Sequence, residues 1–446
     1  MAFDPESKPT PQHGITIIGG RRLPFYYGWI VIAVVFLAEF TTSGMGGSTL
    51  PIFFTPMAEE LGWSLTTLLA AITAQSLAGM VTAPLVGAVL DRFGAKPVML
   101  FGAISAGLGL ILLINVQAVW QFWVLYAIVG ALGLNELGRL SGPVVVAKWF
   151  VRRRGRAMAV ATSGTSAGSM VMAPVIGLLI AAIGWRYTFG VMGAILMVIV
   201  IPPVLLFMKR QPEDMGLLPD GDIPQPPGGG SSAAHGGSPP VQEPIWTLRQ
   251  AVRTRSLWLL VIVMNMAGLS AGGVLVLQMP YMTDQGMSNQ SASLVFTLIW
   301  GGFAISRFIW GFLVERVPVR YCLSGAFLAR SSGPLILVAI PFPYNIPPFL
   351  IVYTLFGGSF QLLQSIAFAN YFGRRFMGTI QGTMRPLLTL PQLVGPLFLG
   401  WLADTTGTFS YSFAVAGVVG LGASAIVLLA TPPQPPLVEP DTVMSD

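Results

Sequence analysis

The sequence predicts an all-α membrane protein whose twelve transmembrane helices form two pseudo-symmetric six-helix bundles. Two observations support this fold class: apolar segments recur along the chain, and loop motifs of its first half reappear in its second half. Of the 446 residues, 54% are hydrophobic and only 9% are charged, whereas a soluble globular protein carries roughly 25% charged residues. We therefore expect most of the surface to face lipid.

The apolar segments have the length of membrane-spanning helices, which need about 20 residues each. We expect helices because backbone groups in hydrocarbon must be hydrogen-bonded within their own segment, and because the alternation of barrel strands is missing from the pattern. The predicted spans are residues 26–49, 64–88, 96–116, 119–146, 157–183, 185–207, 256–281, 290–314, 320–340, 346–370, 378–402 and 408–430.

Polar segments divide the chain. Between residues 209 and 247 the composition changes to Pro, Gly and Ser, which cannot bury enough apolar area to fold. This segment, 209–247, is predicted to be a flexible linker between an N-terminal half, 26–208, and a C-terminal half, 248–430. Residues 1–25 and 431–446 are predicted to be polar tails.

The basic residues predict the orientation. Most of the 24 Lys and Arg fall in the N-terminal tail or in loops that an even number of spans places on the same side. Arg186 is the one clear exception. The positive-inside rule then predicts that both termini and the linker are cytoplasmic. Because topology accounts for the net charge of +6, nucleic acid is not a predicted partner.

Several classes of chemistry are not predicted. The single cysteine, Cys322, allows no internal disulfide framework and no multi-cysteine metal cluster. The only histidines, His13 and His235, lie in polar segments. No cluster of nucleophile, histidine and acid and no glycine-rich phosphate loop is visible. We therefore expect no metal, no cofactor and no enzyme activity.

The two halves share motifs at constant spacing. A glycine, an acid and an arginine follow the second span of each half: Gly87, Asp91 and Arg92, then Gly311, Glu315 and Arg316. A basic pair follows the fourth span of each half: Arg152 and Arg153, then Arg374 and Arg375. Repeated halves are typical of secondary transporters, which bind substrate near the membrane midplane between the halves. We expect these charges to form a network in one access state and to break it in the other; simple anchoring of helix ends is the alternative.

These motifs carry a family resemblance. GAVLDRFGAKP and GFLVERVPVRY resemble the loop motif of the major facilitator superfamily, and nearly the whole chain from Phe25 to Leu429 fits that pattern. The opening YYGW and the segment KWFVRRRGRAMAVATSGTSAGS resemble the monocarboxylate transporter and oxalate/formate antiporter group, and QPEDMGLLPDGD resembles its bacterial members.

The resemblance implies the major facilitator fold and a monomer in a bacterial cytoplasmic (inner) membrane. It also implies secondary active transport of a small organic anion by proton symport or by exchange with a counter-anion. Two other functions stay open. One is proton-coupled export of amphipathic drugs or cations, and the other is a non-transporting nutrient sensor that signals through its linker.

Charges inside the predicted spans are the main functional candidates, because each costs about 2.5 to 3.5 kcal/mol at the centre of a helix. Six such residues occur: Glu39, Glu136, Arg139, Arg307, Arg330 and Arg385. Four positive charges and two negative charges leave a formal +2. This balance favours an anionic substrate.

Arg307 is the predicted substrate-binding residue. It lies one helical turn before Gly311 and two turns before Glu315, and the resemblance places a substrate-binding arginine of the eighth helix here. A guanidinium can hold a carboxylate with two parallel hydrogen bonds. The alternative is a structural ion pair. Many monocarboxylate carriers have a proton-coupling aspartate four residues earlier, where this chain has Phe303. Either another acid couples transport to protons, or the protein exchanges one anion for another.

Glu39 and Glu136 are the proton-coupling candidates. Glu39 lies in the first helix, which lines the cavity of the fold that the resemblance implies, and its alternative is permanent pairing with an arginine. Glu136 and Arg139 are three residues apart and can neutralise one another.

Other cations bear on the predicted substrate. Oxalate carriers place a second cation near the position of Leu388 here, and its absence favours a monocarboxylate over a dicarboxylate. Arg385 is expected on the cytoplasmic side. Arg330 is expected to be structural. The predicted pocket wall consists of aromatic and amide side chains: Phe40, Asn135, Asn265, Gln278, Gln361 and Gln364.

Overall fold

The computed structural model describes residues 16–18, 21–23, 25–46, 49–222 and 244–434. The predicted tails lie largely outside these ranges, as do residues 223–243 of the predicted linker. The side chains of Glu136 and Asn289 also lie outside the described part. A short antiparallel pair, β1 (Thr16–Ile18) and β2 (Arg21–Leu23), precedes the first helix, and the all-α prediction did not contain it.

The N-terminal half is helical from its first predicted span onward. Its α-helices are α1 (Gly28–Gly44), α2 (Pro51–Leu61), α3 (Leu65–Phe93), α4 (Ala95–Leu112), α5 (Val119–Ile128), α6 (Ser141–Trp149) and α7 (Arg154–Phe207). A 3-10 turn, Leu113–Asn115, follows α4, and a π-helical segment, Val129–Leu140, joins α5 to α6. Two 3-10 turns, Pro212–Met215 and Pro219–Gly221, follow α7.

The C-terminal half repeats this pattern. Its α-helices are α8 (Leu248–Ala251), α9 (Arg255–Asp284), α10 (Asn289–Leu313), α11 (Val319–Ala339), α12 (Ile346–Phe349), α13 (Phe360–Phe372), α14 (Met377–Thr406) and α15 (Phe409–Ile426). A second π-helical segment, Leu350–Phe356, joins α12 to α13, and a 3-10 turn, Val427–Leu429, follows α15.

Nine helices of the described ranges are long and apolar enough to cross a membrane, by length and composition. One of them, α7, has 54 residues, about 80 Å at 1.5 Å per residue, which exceeds the roughly 30 Å hydrocarbon core. Gly184 interrupts it with a φ of 78°, so α7 is long enough for two crossings that meet at this glycine. The shorter α1 and the interrupted segment from α5 to α6 are outside these nine, and the number of twelve stays a prediction.

Glycines bring the two halves together at two helix crossings. Gly87 in α3 lies against Gly378 in α14, where a Cβ on Gly87 would overlap the carbonyl oxygen of Gly378. Gly155 in α7 lies against Gly311 in α10 in the same way. Only glycine allows backbones this close. The two glycines of the repeated motif therefore each contact the opposite half.

The beginning of the predicted flexible linker is folded. Asp220 is buried and accepts hydrogen bonds from the backbone N–H groups of Val151, Arg152 and Arg153 at 3.0, 2.8 and 3.1 Å. Residues 209–222 therefore differ from the predicted flexible linker. The reason is that a carboxylate can satisfy several otherwise unpaired N–H groups of the loop that precedes α7.

Candidate functional site

A cavity of about 540 Å³ lies between the two halves. Its wall includes residues of α1, α3, α7 and the segment 129–140 from the N-terminal half, and of α9, α10, α11, α13 and α14 from the C-terminal half. Four arginines line it: Arg139, Arg307, Arg330 and Arg385. No aspartate or glutamate with a described side chain lines it. The cavity wall therefore carries a strong positive charge.

Arg307 reaches from α10 to α7 in the opposite half. Its Nη1 donates to the carbonyl oxygen of Thr162 at 2.7 Å, to Oγ1 of Thr165 at 2.6 Å and to Oγ of Ser166 at 2.9 Å. All three acceptors are neutral, and no salt bridge joins Arg307 to an acid of the described ranges. Its Nε and Nη2 donate to no described residue, so part of the guanidinium stays available to a ligand.

The Ser, Thr and Gly run in α7 provides this contact. Thr165 donates its own hydroxyl proton to the carbonyl oxygen of Thr162 at 2.6 Å, so its oxygen is oriented to accept from Arg307. These acceptors were not predicted. Their signal in the sequence is TSGTS, a run of hydroxyl side chains within an apolar span, although only the fold places it opposite Arg307.

Glu39 is buried behind the cavity wall, not on it. Three glycines surround its side chain: a Cβ on Gly138 would lie 2.9 Å from Oε2, one on Gly142 would lie 3.1 Å from Oε1, and one on Gly164 would lie 3.1 Å from its Cβ. The acid thus occupies space that side chains on the neighbouring helices would otherwise fill.

The carboxyl group of Glu39 is incompletely satisfied. Its Oε2 has no hydrogen-bond partner in the described part of the chain, which is unusual for a buried polar atom. Arg139, Arg307 and Arg385 are near enough to act on its charge electrostatically. Glu39 forms no salt bridge with a described residue, in contrast to the alternative of permanent pairing.

Arg330 lies on the cavity wall, whereas the sequence predicts a structural role for it. Its guanidinium carbon is 5.3 Å from the ring centroid of Phe303 and 5.1 Å from that of Tyr353. Its Nη1 donates to the carbonyl oxygen of Gly357 at 2.9 Å, and its Nε has no partner in the described part. Two aromatic faces and one carbonyl hold this cation, and no acid of the described residues forms a salt bridge with it. Arg385 also lines the cavity.

The predicted wall residues separate into two groups. Asn135 and Gln361 line the cavity, and Phe40, Asn265, Gln278 and Gln364 do not. Asn265 donates to the carbonyl oxygen of Val261 in its own helix at 2.6 Å. Gln278 is fully buried. Polar wall residues that were not predicted include Thr42, Ser43, Gln75, Ser76, Thr389 and Gln392.

Arg139 is exposed to the cavity and makes no hydrogen bond or salt bridge with a described residue. Its predicted partner Glu136 belongs to the π-helical segment, and the side chain of Glu136 lies outside the described part. The predicted neutralisation of this pair therefore stays a prediction.

The acids of the repeated motif form reciprocal contacts between the halves. Asp91 accepts from the backbone N–H groups of Gly378 and Thr379, in the first turn of α14, at 3.0 and 2.6 Å. Glu315 accepts from the backbone N–H of Arg156, in the first turn of α7, at 2.9 Å, and from its Nε at 2.8 Å. Each acid therefore caps the positive end of a helix in the other half.

The predicted arginines of this network have other neighbours. Arg152 pairs with Asp222, and Arg374 donates to Glu213 at 2.7 Å and to the carbonyl oxygen of Lys148 at 2.8 Å. The other four form no salt bridge with a described residue: Arg92, Arg153, Arg316 and Arg375. The folded start of the linker, 209–222, thus binds both halves on this side, which we call the linker side.

Arg186 organises the opposite side. Its Nε donates to Oε1 of Glu60 at 2.9 Å, and Trp185 donates to Oε2 of Glu60 at 2.6 Å. Arg186 also donates to the carbonyl oxygens of Ile114 and Val116 at 2.9 and 2.6 Å. The hydrogen bonds from Arg186 and Trp185 lower the pKa of Glu60.

Comparisons with known proteins agree with this architecture. The sequence model of the Major Facilitator Superfamily matches residues 35–385 and residues 259–443. Human Monocarboxylate transporter 11 is 26% identical over 449 residues, which cover 94% of this chain and 86% of that protein. Monocarboxylate transporter 12-B of Danio rerio is 22% identical over 416 residues, which cover 90% and 86%.

Solved structures show the same fold. The E. coli fucose:proton symporter FucP superimposes with a TM-score of 0.69 at 14% identity, covering 91% of this chain and 99% of that chain. The proton:xylose symporter XylE gives a TM-score of 0.67 at 12% identity, covering 90% and 95%. At such identities the likeness concerns the fold alone.

Proposed function

This chain belongs to the Major Facilitator Superfamily, and from that premise we propose that it moves a small organic anion by alternating access. It is a multi-pass membrane transporter and not an enzyme. The proposed substrate carries at least one carboxylate, as the names of its relatives suggest. Transport is driven by proton symport or by exchange with another anion.

One observation carries the proposal. Arg307 lies in a cavity between the halves, and only its Nη1 is used by described residues. A carboxylate that accepts from Nε and Nη2 completes the guanidinium fork. The same arginine is tied to Thr162 and Thr165 of the other half, so substrate binding at Arg307 acts on a contact between the halves.

Glu39 supports coupling to protons. A buried carboxyl with an unpartnered oxygen is stabilised when it takes up a proton, because the proton removes a charge from a desolvated site. Arg139 and Arg307 act on its charge, so an anion bound at Arg307 offsets their attraction and favours the protonated form of Glu39. Anion and proton then bind together, which is the requirement for symport.

The linker side is proposed to be the cytoplasmic side, in agreement with the positive-inside rule. In this state Asp91 and Glu315 hold the halves together there, so we expect substrate to enter the cavity from the opposite side. The bacterial cytoplasmic membrane and the monomeric state remain parts of the proposal.

Reconstituted protein tests the function. Proteoliposomes that contain the full chain are expected to take up labelled lactate, pyruvate or formate, and Arg307→Ala is expected to abolish uptake. Arg255→Ala is the matched control, because Arg255 is an exposed arginine at the start of α9, outside the cavity wall. Unchanged uptake in Arg307→Ala would refute the role of Arg307.

The buried acid also favours a second candidate, proton-coupled export of amphipathic drugs or cations. That function depends on Glu39 and not on Arg307. Efflux of a lipophilic cation that persists in Arg307→Ala and is lost in Glu39→Gln would support export and contradict anion transport. Four arginines on the cavity wall disfavour it, because they repel a cationic substrate.

A further inference from the structure

The charge of the cavity exceeds what a monocarboxylate can balance. Four arginines line the wall. With the two acids of the predicted spans, Glu39 and Glu136, both counted as ionised, the six groups sum to +2. A bound monoanion leaves at least one positive charge uncompensated, and two when Glu39 is protonated, whereas a dianion leaves one fewer in either case. Uncompensated buried charge is costly, so the cavity is better matched to a dianion.

Arg330 supplies a second anchoring cation. It is held by the rings of Phe303 and Tyr353 and by one carbonyl oxygen. Cation–π contacts attract the guanidinium but do not neutralise its charge. No salt bridge joins Arg330 to an acid of the described ranges. Its charge therefore faces the cavity without a compensating carboxylate.

The geometry relates Arg330 to Arg307. Phe303 and Arg307 are four residues apart in α10, so they share one helix face and lie one turn apart, about 5 to 6 Å. Because the guanidinium of Arg330 lies over the ring of Phe303, the two arginines reach the cavity at levels about one helical turn apart. A short molecule with an anionic group at each end can contact both.

We propose that Arg330 is a substrate-binding residue that pairs with Arg307 to select organic dianions, such as short-chain dicarboxylates. This inference rests on the proposed function and specifies its substrate class. It departs from the sequence-based preference for a monocarboxylate, which depended on the missing cation near Leu388. The second cation comes from α11 and is held by Phe303. At the position of Phe303, many of the monocarboxylate carriers that this chain resembles have an aspartate.

Binding of length-matched carboxylates tests the proposal. Purified full-length protein is titrated with butyrate against succinate and with pentanoate against glutarate, and affinities are measured by calorimetry. The wild-type chain is expected to bind each dicarboxylate about tenfold or more tightly than its monocarboxylate, as one added charge-assisted hydrogen bond implies. Arg330→Gln is expected to lower dicarboxylate affinity by a larger factor than monocarboxylate affinity and so to remove this preference.

Two variants separate recognition from packing. Phe303→Asp places a carboxylate beside the guanidinium of Arg330 and is expected to abolish the dicarboxylate preference with Arg330 still present. Arg330→Lys keeps the charge and is expected to retain part of the preference. If Arg330 were only structural, Arg330→Gln would lower both affinities by the same factor, and this outcome overturns the proposal.

The measured affinities distinguish an error in the role of Arg330 from an error in the proposed function. If wild-type protein binds monocarboxylates and shows no preference for dicarboxylates, the role of Arg330 is wrong and anion transport stands. If it binds neither series, the proposed function itself is wrong, and the role of Arg330 falls with it.

Discussion

Asp91 in α3 accepts a hydrogen bond of 2.6 Å from the backbone N–H of Thr379, in the first turn of α14 in the other half. Glu315 makes the symmetry-related contact with the first turn of α7. The repeat is therefore used twice as an electrostatic latch between a carboxylate and a helix N-terminus. Such contacts contribute typically 0.3 to 1 kcal/mol at exposed sites, about 2 kcal/mol when partly buried.

The first prediction concerns this latch. Asp91→Asn and Glu315→Gln keep side-chain size but remove the charge that faces the helix N-terminus, and each should favour opening of the linker side. In a Cys322→Ser background, a cysteine at Thr162 is expected to react faster with a membrane-impermeant thiol reagent applied from the linker side. Asp284→Asn is the control, because Asp284 is the last residue of α9, on the side opposite to the linker. It should leave the reaction rate unchanged. Equal reaction rates in all variants would contradict the latch.

The second prediction concerns the acceptors of Arg307. Thr165→Val removes the hydroxyl that accepts from Nη1 at 2.6 Å and keeps the shape of the side chain. Loss of one hydrogen bond to a charged group corresponds to about 1.5 to 3 kcal/mol, so KM for the transported anion should rise by roughly tenfold or more. Thr297→Val, an exposed threonine in the same helix as Arg307 that bonds only within its helix, is the control. An unchanged KM would show that Arg307 does not need α7 for its orientation.

The third prediction concerns Glu39. Glu39→Gln cannot gain or lose a proton, yet it retains nearly the same volume between Gly138 and Gly142. Uptake driven by a pH gradient should be lost, and exchange of labelled for unlabelled substrate at equal pH should persist. Gradient-driven uptake that survives in Glu39→Gln would assign coupling to another group. Gly138→Ala tests the surroundings of Glu39 without changing the acid itself, because the added Cβ would lie only 2.9 Å from Oε2 of Glu39.

The fourth prediction is a pH dependence outside the membrane spans. Because the pKa of Glu60 is lowered in the folded protein, its ionised form stabilises the fold at pH values above the pKa of an unfolded glutamate, near 4.3. That contribution disappears as the pH falls through the folded-state value. Glu60→Gln should therefore lower the Tm at pH 7 and have no effect at a pH below the folded-state pKa.

The exposure of this ion pair limits the effect. The side chain of Glu60 is 49% exposed, so a contribution of about 1 kcal/mol or less is expected. Glu59→Gln is the neighbouring control, and thermal unfolding in detergent measures both variants. A difference in Tm between wild type and Glu60→Gln that stays constant with pH would contradict the role of the carboxylate.

The arginines of the interior show what the sequence indicates and what only the tertiary structure decides. Composition alone indicated that four arginines outnumber two acids within the spans. It could not indicate that Arg330 reaches the cavity, because the rings that support its guanidinium, those of Phe303 and Tyr353, lie on other helical segments. The amides of Asn265 and Gln278 looked equivalent to that of Asn135 in sequence, yet only Asn135 lines the cavity.

The sequence by itself determined the family, the two halves and the positions of Gly87, Asp91, Gly311 and Glu315, because lipid burial and internal repetition impose patterns that are visible along one chain. Only the tertiary structure decided the partners of those residues. The acids were expected to meet arginines. Asp91 instead caps a helix of the opposite half, and Glu315 both caps such a helix and pairs with Arg156 in its first turn. The reason is physical: a helix N-terminus carries positive potential from its unpaired N–H groups. The types of residue along the chain do not show where that terminus lies in the folded protein.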